Sequence, residues 1–245
     1  MEFCRIHLDQ VDSTNNYAAK WLKMTKSITP AVITARIQHQ GRGQQQRSWE
    51  SPPNLNLTCS FVILPKNIQF EQLALFNKSI ANAAHTTLSK YHDGNIDIKW
   101  PNDIWVNGKK IAGILIENNW KQQSINSSII GIGINVNQPF AIGDKWCSLF
   151  SLTNKTIPLC QVLNELESNI QRQLALLDDR KFENINRYYH QFLLGKNQSI
   201  AFHYRQELLH GNIEKVDDWG RIIIKTSESS YAFRHGEVAI DYNPT

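Results

Sequence analysis

Apolar residues recur at helical spacing in two long stretches of the chain. Leu73, Phe76, Ile80, Ala83, Ala84 and Leu88 form one stripe within residues 70–91, and Val162, Leu163, Leu166, Ile170, Leu174 and Leu177 form another. Both predict helices that turn one face to a core. A third helix is expected over residues 182–194, stopped by Gly195, since glycine readily takes the left-handed conformation that closes a helix. Elsewhere the period shortens. Residues 3–8, 55–64, 96–100, 104–106, 111–116 and 131–137 read as strands, with a short helix at 16–23 after the first. Asn107-Gly108 joins two of these runs, and that dipeptide most favours a type I′ hairpin turn. From Lys196 the pattern breaks into five short alternating runs, 198–204, 211–216, 221–225, 230–234 and 237–240, with turns at 217–220 and His235-Gly236. Such a series suggests a small barrel and divides the chain at 1–194 and 195–245, although a β-extension of the main domain fits it as well. The expected class is α+β.

Composition narrows the possibilities. A chain of 245 residues can bury a large core, and 26 basic against 22 acidic residues leave a net charge of only +4. No run of five like charges occurs, so neither a nucleic-acid tail nor a membrane-binding patch is indicated. The start of the chain carries Glu2 and Asp9 without an apolar stretch, and no apolar run reaches 18 residues, which predicts a cytoplasmic protein. Cys4, Cys59, Cys147 and Cys160 are widely spaced with no CxxC, and are expected to be buried free thiols in a reducing compartment. The eight histidines form no metal-like cluster, so no resident metal is expected.

Four motifs carry candidate chemistry. In KWPNDIWVNGKKIAGILIE, residues 99–117, Lys99 closes a strand and Pro101 stiffens the turn behind it, so an ammonium is held in a defined position. A surface hairpin with an incidental lysine has the same pattern. Gly41-Arg42-Gly43 opens a mobile polar loop that also holds Arg47, able to wrap an anion or simply to be solvated. Trp49 at its end either covers core or stacks on a planar ligand. Asp12-Ser13-Thr14-Asn15 would cap the following helix, and its hydroxyls and amide could also reach a ligand. Finally, Gly131-Ile132-Gly133-Ile134-Asn135-Val136-Asn137 is an apolar strand broken by glycines, which admits a ligand or another backbone. It lacks the GxGxxG spacing of a dinucleotide site.

In this order, DSTN, QHQGRG with RSW, KWPND with KxAGILxE, and GIGINVN, the chain resembles the biotin protein ligases over most of its length. That resemblance implies a catalytic domain with a mixed sheet and helices, related to class II aminoacyl-tRNA synthetases and lipoate ligases, followed by an SH3-like C-terminal β-barrel. It implies two reactions: activation of biotin by ATP to biotinyl-5′-AMP, then transfer to one lysine of a biotin carboxyl carrier protein or domain. Mg2+ would accompany ATP. By resemblance, Ser13, Thr14, Asn15, Gln38, Gly41, Arg42, Gly43, Gln44, Lys99 and Gly113 belong to the biotin side. Arg42, Arg47, Trp49, Lys99, Asn102 and Asn135 belong to the ATP and adenylate side, with Lys99 and Arg42 catalytic.

The residue types suit that chemistry. A carboxylate attacking a phosphate brings two negative charges to about 4 Å, where they repel by roughly 4 kcal/mol at an effective dielectric near 20. Lys99, Arg42, Arg47 and magnesium would offset this, and no general base is needed because a carboxylate is already ionised. The loop departs from the GRGRRGR of many members, reading GRGQQQR, so that fewer charges cover the phosphate. Faster release of the intermediate is expected from Gln44, which stands where those members carry arginine. Some members repress transcription through an N-terminal three-helix module, but only 11 residues precede Asp12, so no DNA partner is expected. The rivals are a lipoate ligase and a biotin-binding module without chemistry. Both a monomer and a homodimer are compatible with the sequence.

Overall fold

The computed structural model describes residues 2–25, 29–66, 68–140 and 143–242. Its centre is a seven-stranded sheet ordered β1-β2-β3-β7-β6-β5-β4. The strands are β1 (Cys4–Val11), β2 (Ala31–Gln38), β3 (Leu57–Ile63), β4 (Ile96–Lys99), β5 (Asp103–Val106), β6 (Lys109–Lys121) and β7 (Ser124–Ile134). Only β1 and β2 pair in parallel, joined by helix α1 (Thr14–Met24); every other pair is antiparallel. Asn107 and Gly108 both have positive φ, 50° and 76°, as a type I′ turn requires.

The predicted stripes form α2 (Leu73–Ser89) and α4 (Leu159–Asp178), which with α5 (Phe182–Gln191) cover one face of the sheet; a short α3 (Leu149–Thr153) precedes α4. On the other face α1 packs Ala18 with Tyr17, Trp21 and Leu22 against Ile33, Val62 and Ile129. Because it is covered on both sides, all seven residues of β3 are buried. Each such aliphatic side chain contributes about 1.5–3 kcal/mol on burial, so propensity matters little in this strand.

Two expectations are corrected. Helix α5 stops at Gln191, before Gly195, because residues 192–194 run beside β4: Ile98 N donates to Phe192 O at 2.7 Å and Leu194 N to Ile98 O at 2.9 Å. Cys59 and Cys147 are buried, but Cys4, on the outermost strand β1, and Cys160, in the first turn of α4, are exposed; all four are free. The glycine-arginine loop, expected as a polar segment able to wrap an anion, carries pairing of its own. Gly43 N donates to Arg47 O at 2.7 Å, Trp49 N to Gly41 O at 2.8 Å, and a single 3-10 turn, Gln44–Gln46, closes its tip.

Five strands make the second sheet, ordered β11-β10-β9-β8-β12 and antiparallel throughout: β8 (Ser199–Tyr204), β9 (Glu207–Val216), β10 (Ile222–Lys225), β11 (Ser230–Phe233) and β12 (Ala239–Asp241). This is the SH3-like unit beside the α+β catalytic fold. Its β9–β10 turn is fastened to the helical layer by Lys78, only 3% exposed, whose Nζ donates to Val216 O at 2.8 Å, Asp217 O at 3.2 Å and Asn186 Oδ1 at 2.9 Å. Burial pulls this ammonium down to about 8. Beside it His190 Nε2 accepts from Val216 N at 3.0 Å, and Trp100 Nε1 donates to Gly220 O at 3.0 Å.

Candidate active site

A cavity of about 1110 Å³ opens on the sheet face that α1 flanks. Its floor is made by the glycines of β7. An ideal Cβ on Gly131 would stand 2.4 Å from Asn15 Oδ1, and one on Gly133 would stand 2.3 Å from Trp49 Cε2. The groove left by the missing side chains therefore seats the Asn15 amide at one end and the Trp49 indole at the other. Close approach was expected of this strand, and side chains of the same molecule make it.

A polar cluster fills the Asn15 end. Ser13, Thr14, Asn15 and Ser60 are all buried. Ser13 makes no side-chain cap for α1; instead Gln38 reaches over from β2, and its Oε1 accepts from Thr14 N at 2.9 Å and from Thr14 Oγ1 at 3.1 Å. The Ser60 hydroxyl lies 2.7 Å from Thr14 Oγ1 and 2.6 Å from Asn15 Oδ1. Asn15 Nδ2 donates to Glu117 Oε2 at 2.8 Å, and the other Glu117 oxygen accepts from Arg42 Nη2 at 2.7 Å. Arg42 also donates to Asn16 Oδ1 at 2.8 Å, so its charge is matched within the protein. Such a cluster offers directed donors and acceptors inside apolar walls, the usual means of orienting a small polar head group.

Lys99 closes β4, with its ammonium 3.5 Å from the centroid of the Trp105 ring and 4.9 Å from that of Tyr242. Desolvation holds its pKa below the usual lysine range; Asp103 opposes this, while Lys110 and Arg47 add repulsion. Asp103 is itself paired with Lys110 at 2.8 Å. Lys99, Lys110 and Arg47 thus gather positive charge along one wall of the cavity, which suits a phosphate or carboxylate.

Of the residues expected from the sequence, Ser13, Thr14, Asn15, Gln38, Arg42, Gly43, Gln44, Arg47, Trp49, Lys99, Asn102, Gly113 and Asn135 all line this one cavity. Gly41 lies outside it, buried beneath the Trp49 carbonyl and Gln38. Two lining residues have their amides committed to backbone: Asn102 Nδ2 donates to Ile114 O, and Asn135 Nδ2 to Cys147 O. Sequence reasoning passed over Ser60, Trp105, His235 and Tyr242. Trp105 was legible, because period-two alternation puts residues 103 and 105 on the face of their cross-strand partners 99 and 97. His235, a lining residue, and Tyr242 come from the second sheet, which no local pattern connects to Lys99.

The fold and this cavity have their match in one family of ligases. Residues 8–135 match the Biotin/lipoate A/B protein ligase family. A biotin protein ligase from Aquifex aeolicus, solved in complex with biotin and ATP, superposes with a TM-score of 0.80 at 25% identity, covering 97% of this chain and 98% of that one. The biotin--[acetyl-CoA-carboxylase] ligase of Paracoccus denitrificans is 28% identical, over 89% of this chain and 92% of its own length. The bifunctional ligase/repressor BirA of Bacillus subtilis is 27% identical, over 91% of this chain and 70% of its own. The chain belongs to the biotin/lipoate A/B protein ligase family.

Proposed function

We propose that this protein activates biotin with ATP, taken as its magnesium complex, to biotinyl-5′-AMP and transfers the biotinyl group to a lysine of a biotin carboxyl carrier protein in the cytoplasm. The observation that carries the reading is that Lys99 and both ends of the glycine groove line one cavity. The ureido head of biotin is assigned to the Thr14, Asn15 and Gln38 cluster, whose donors and acceptors satisfy one another and would be shared with the ligand. Its carboxylate then points to Lys99, and Trp49 supplies a face for adenine. Residues 1–194 carry the chemistry in this reading, and 195–245 form an auxiliary domain.

In the first step the biotin carboxylate attacks the α-phosphate and pyrophosphate leaves. Lys99 and Arg47 offset the repulsion between two anions, so the site works by position and charge. Arg42 is proposed to order its loop through Glu117 and Asn16, with its remaining donors free for the adenylate. In the second step the acceptor lysine must give up a proton. With a pKa of about 10.4, presenting the free amine at pH 7 costs about 4.6 kcal/mol.

Pyrophosphate exchange into ATP isolates the first step from any carrier. Exchange that depends on biotin and disappears in Lys99→Ala is the expected result. Exchange supported only by lipoate would make lipoate the substrate, and exchange with neither acid would refute the enzymatic reading of the site.

A further inference from the structure

The ammonium of Lys99 has an unusual resting place. Among the described residues Lys99 forms no salt bridge, and Asp103, the carboxylate whose charge acts on it, is engaged by Lys110 at 2.8 Å. Instead the charge lies over two aromatic faces, Trp105 at 3.5 Å and Tyr242 at 4.9 Å. Trp105 belongs to the neighbouring strand β5, but Tyr242 directly follows β12 and so is delivered by the second sheet. That ring is partly buried and packs against the core. Burial pushes its hydroxyl well above the ordinary tyrosine range, and an ideal Cβ on Gly195, at φ 75°, would stand only 3.3 Å from Tyr242 Cδ1.

Resting on the reading of Lys99 as the contact to carboxylate and phosphate, we infer that Trp105 and Tyr242 form an aromatic clamp that positions Lys99, and that the second sheet takes part in adenylation through it. The physical advantage lies in what a ring face leaves free. A carboxylate partner would occupy the N–H donors of the ammonium and would have to be displaced by the incoming anion. Aromatic faces attract the cation through the ring quadrupole and engage its N–H groups far more weakly than a carboxylate, so an incoming anion displaces little. The attraction also weakens gradually with distance, so Nζ can move toward a ligand while the rings still restrict its stem. A lysine freed from the clamp would sample several rotamers and spend less time where charge passes to the α-phosphate. Trp105 and Tyr242 are positioning residues, since they act through Lys99.

Tyr242→Phe and Tyr242→Leu separate this role from simple packing. Phenylalanine keeps the ring face and leucine fills the space without one. In biotin-dependent pyrophosphate exchange, Tyr242→Phe is expected within about twofold of the parent. Tyr242→Leu is expected to lower kcat about tenfold, with KM for biotin and for ATP changed by less than about twofold. Equal rates for the two variants, or a loss confined to KM, would overturn the clamp. If Tyr242→Leu does not fold, the same comparison is made with Trp105→Phe and Trp105→Leu. An NMR measurement on ligand-free protein with 13C-labelled lysine requires no activity. Ring currents should shift the ε-methylene protons of Lys99 upfield of the other lysines, and Trp105→Leu should abolish the shift; an unshifted resonance in the parent would refute the geometry. Should biotin support no exchange in the parent while the shift is present, the functional reading fails and the clamp's part in adenylation falls with it, while the seating of Lys99 on the rings stands.

Discussion

Replacing Gly133 by alanine tests whether the glycine groove is what seats Trp49. The new Cβ would lie 2.3 Å from Trp49 Cε2, 2.5 Å from Cζ2 and 2.7 Å from Nε1. Since carbon atoms pack at about 3.5–4.0 Å, the indole must retreat by about 1.2 Å or more. The strand cannot yield instead, because Gly133 is paired on both sides, with Thr58 of β3 and Gly113 of β6. Trp49 sits at the end of an exposed loop, so its movement should cost about 1 kcal/mol of stability, the lower end of the range for overpacking. The functional loss is larger. Stacking of one base on an aromatic ring is worth about 1–3 kcal/mol, so ATP affinity should fall roughly tenfold to a hundredfold when the face is displaced. Biotin affinity should stay within about twofold, because the cluster around Asn15 lies over Gly131. Titration calorimetry with each ligand, alongside thermal unfolding, decides the matter. An unchanged ATP affinity in a folded variant would refute the role given to Trp49, and a parallel loss of biotin binding would refute the separation of the two ends.

Ser60→Ala removes the buried hydroxyl between Thr14 and Asn15, and is expected to cost about 1–3 kcal/mol; the midpoint of thermal unfolding and the biotin affinity should both drop. Lys78→Met strips the donor from two carbonyls of the β9–β10 turn and from Asn186, with an expected loss of about 2–3 kcal/mol in urea unfolding; a more stable variant would mean that desolvating the ammonium outweighs its three hydrogen bonds. His190 is held down to about 4 from an ordinary 6.5, first by burial and then by the Lys78 charge. The unfolded chain therefore takes up a proton below pH 6.5 that the native state refuses until about pH 4, so stability present above 6.5 is lost as pH falls through that window. With allowance for partial solvent screening the loss is about 2 kcal/mol, seen as a fall in the urea midpoint between pH 7 and pH 4.5 that His190→Gln should flatten.

The sequence by itself determined the local elements and the chemistry they carry. Stripes at 3.6-residue spacing became α2 and α4, the positive φ demanded of Asn107 and Gly108 became the β5–β6 turn, and five short alternating runs became the second sheet. These were legible because period and turn preference act over a few residues. The glycines at 131 and 133 announced a close approach for the same reason, since only a missing Cβ permits one. What lay against them was decided by tertiary structure. Asn15, in the first turn of α1, and Trp49, at the end of the glycine-arginine loop, reach the groove from 116 and 84 residues away in the chain, given Gly131 − Asn15 and Gly133 − Trp49. The end of α5 was set in the same way: strand pairing with β4 overrode the stop that Gly195 suggested. So was the first amide of α1, met by Gln38 rather than by the hydroxyl beside it. Tyr242 is the extreme case, 143 positions beyond Lys99 (242 − 99), with its ring beside that ammonium only because two sheets dock. Local rules select a residue's conformation from its neighbours in the chain. Its partners across a site depend on how whole layers stack, and the free energy that decides the stacking is spread over the entire core.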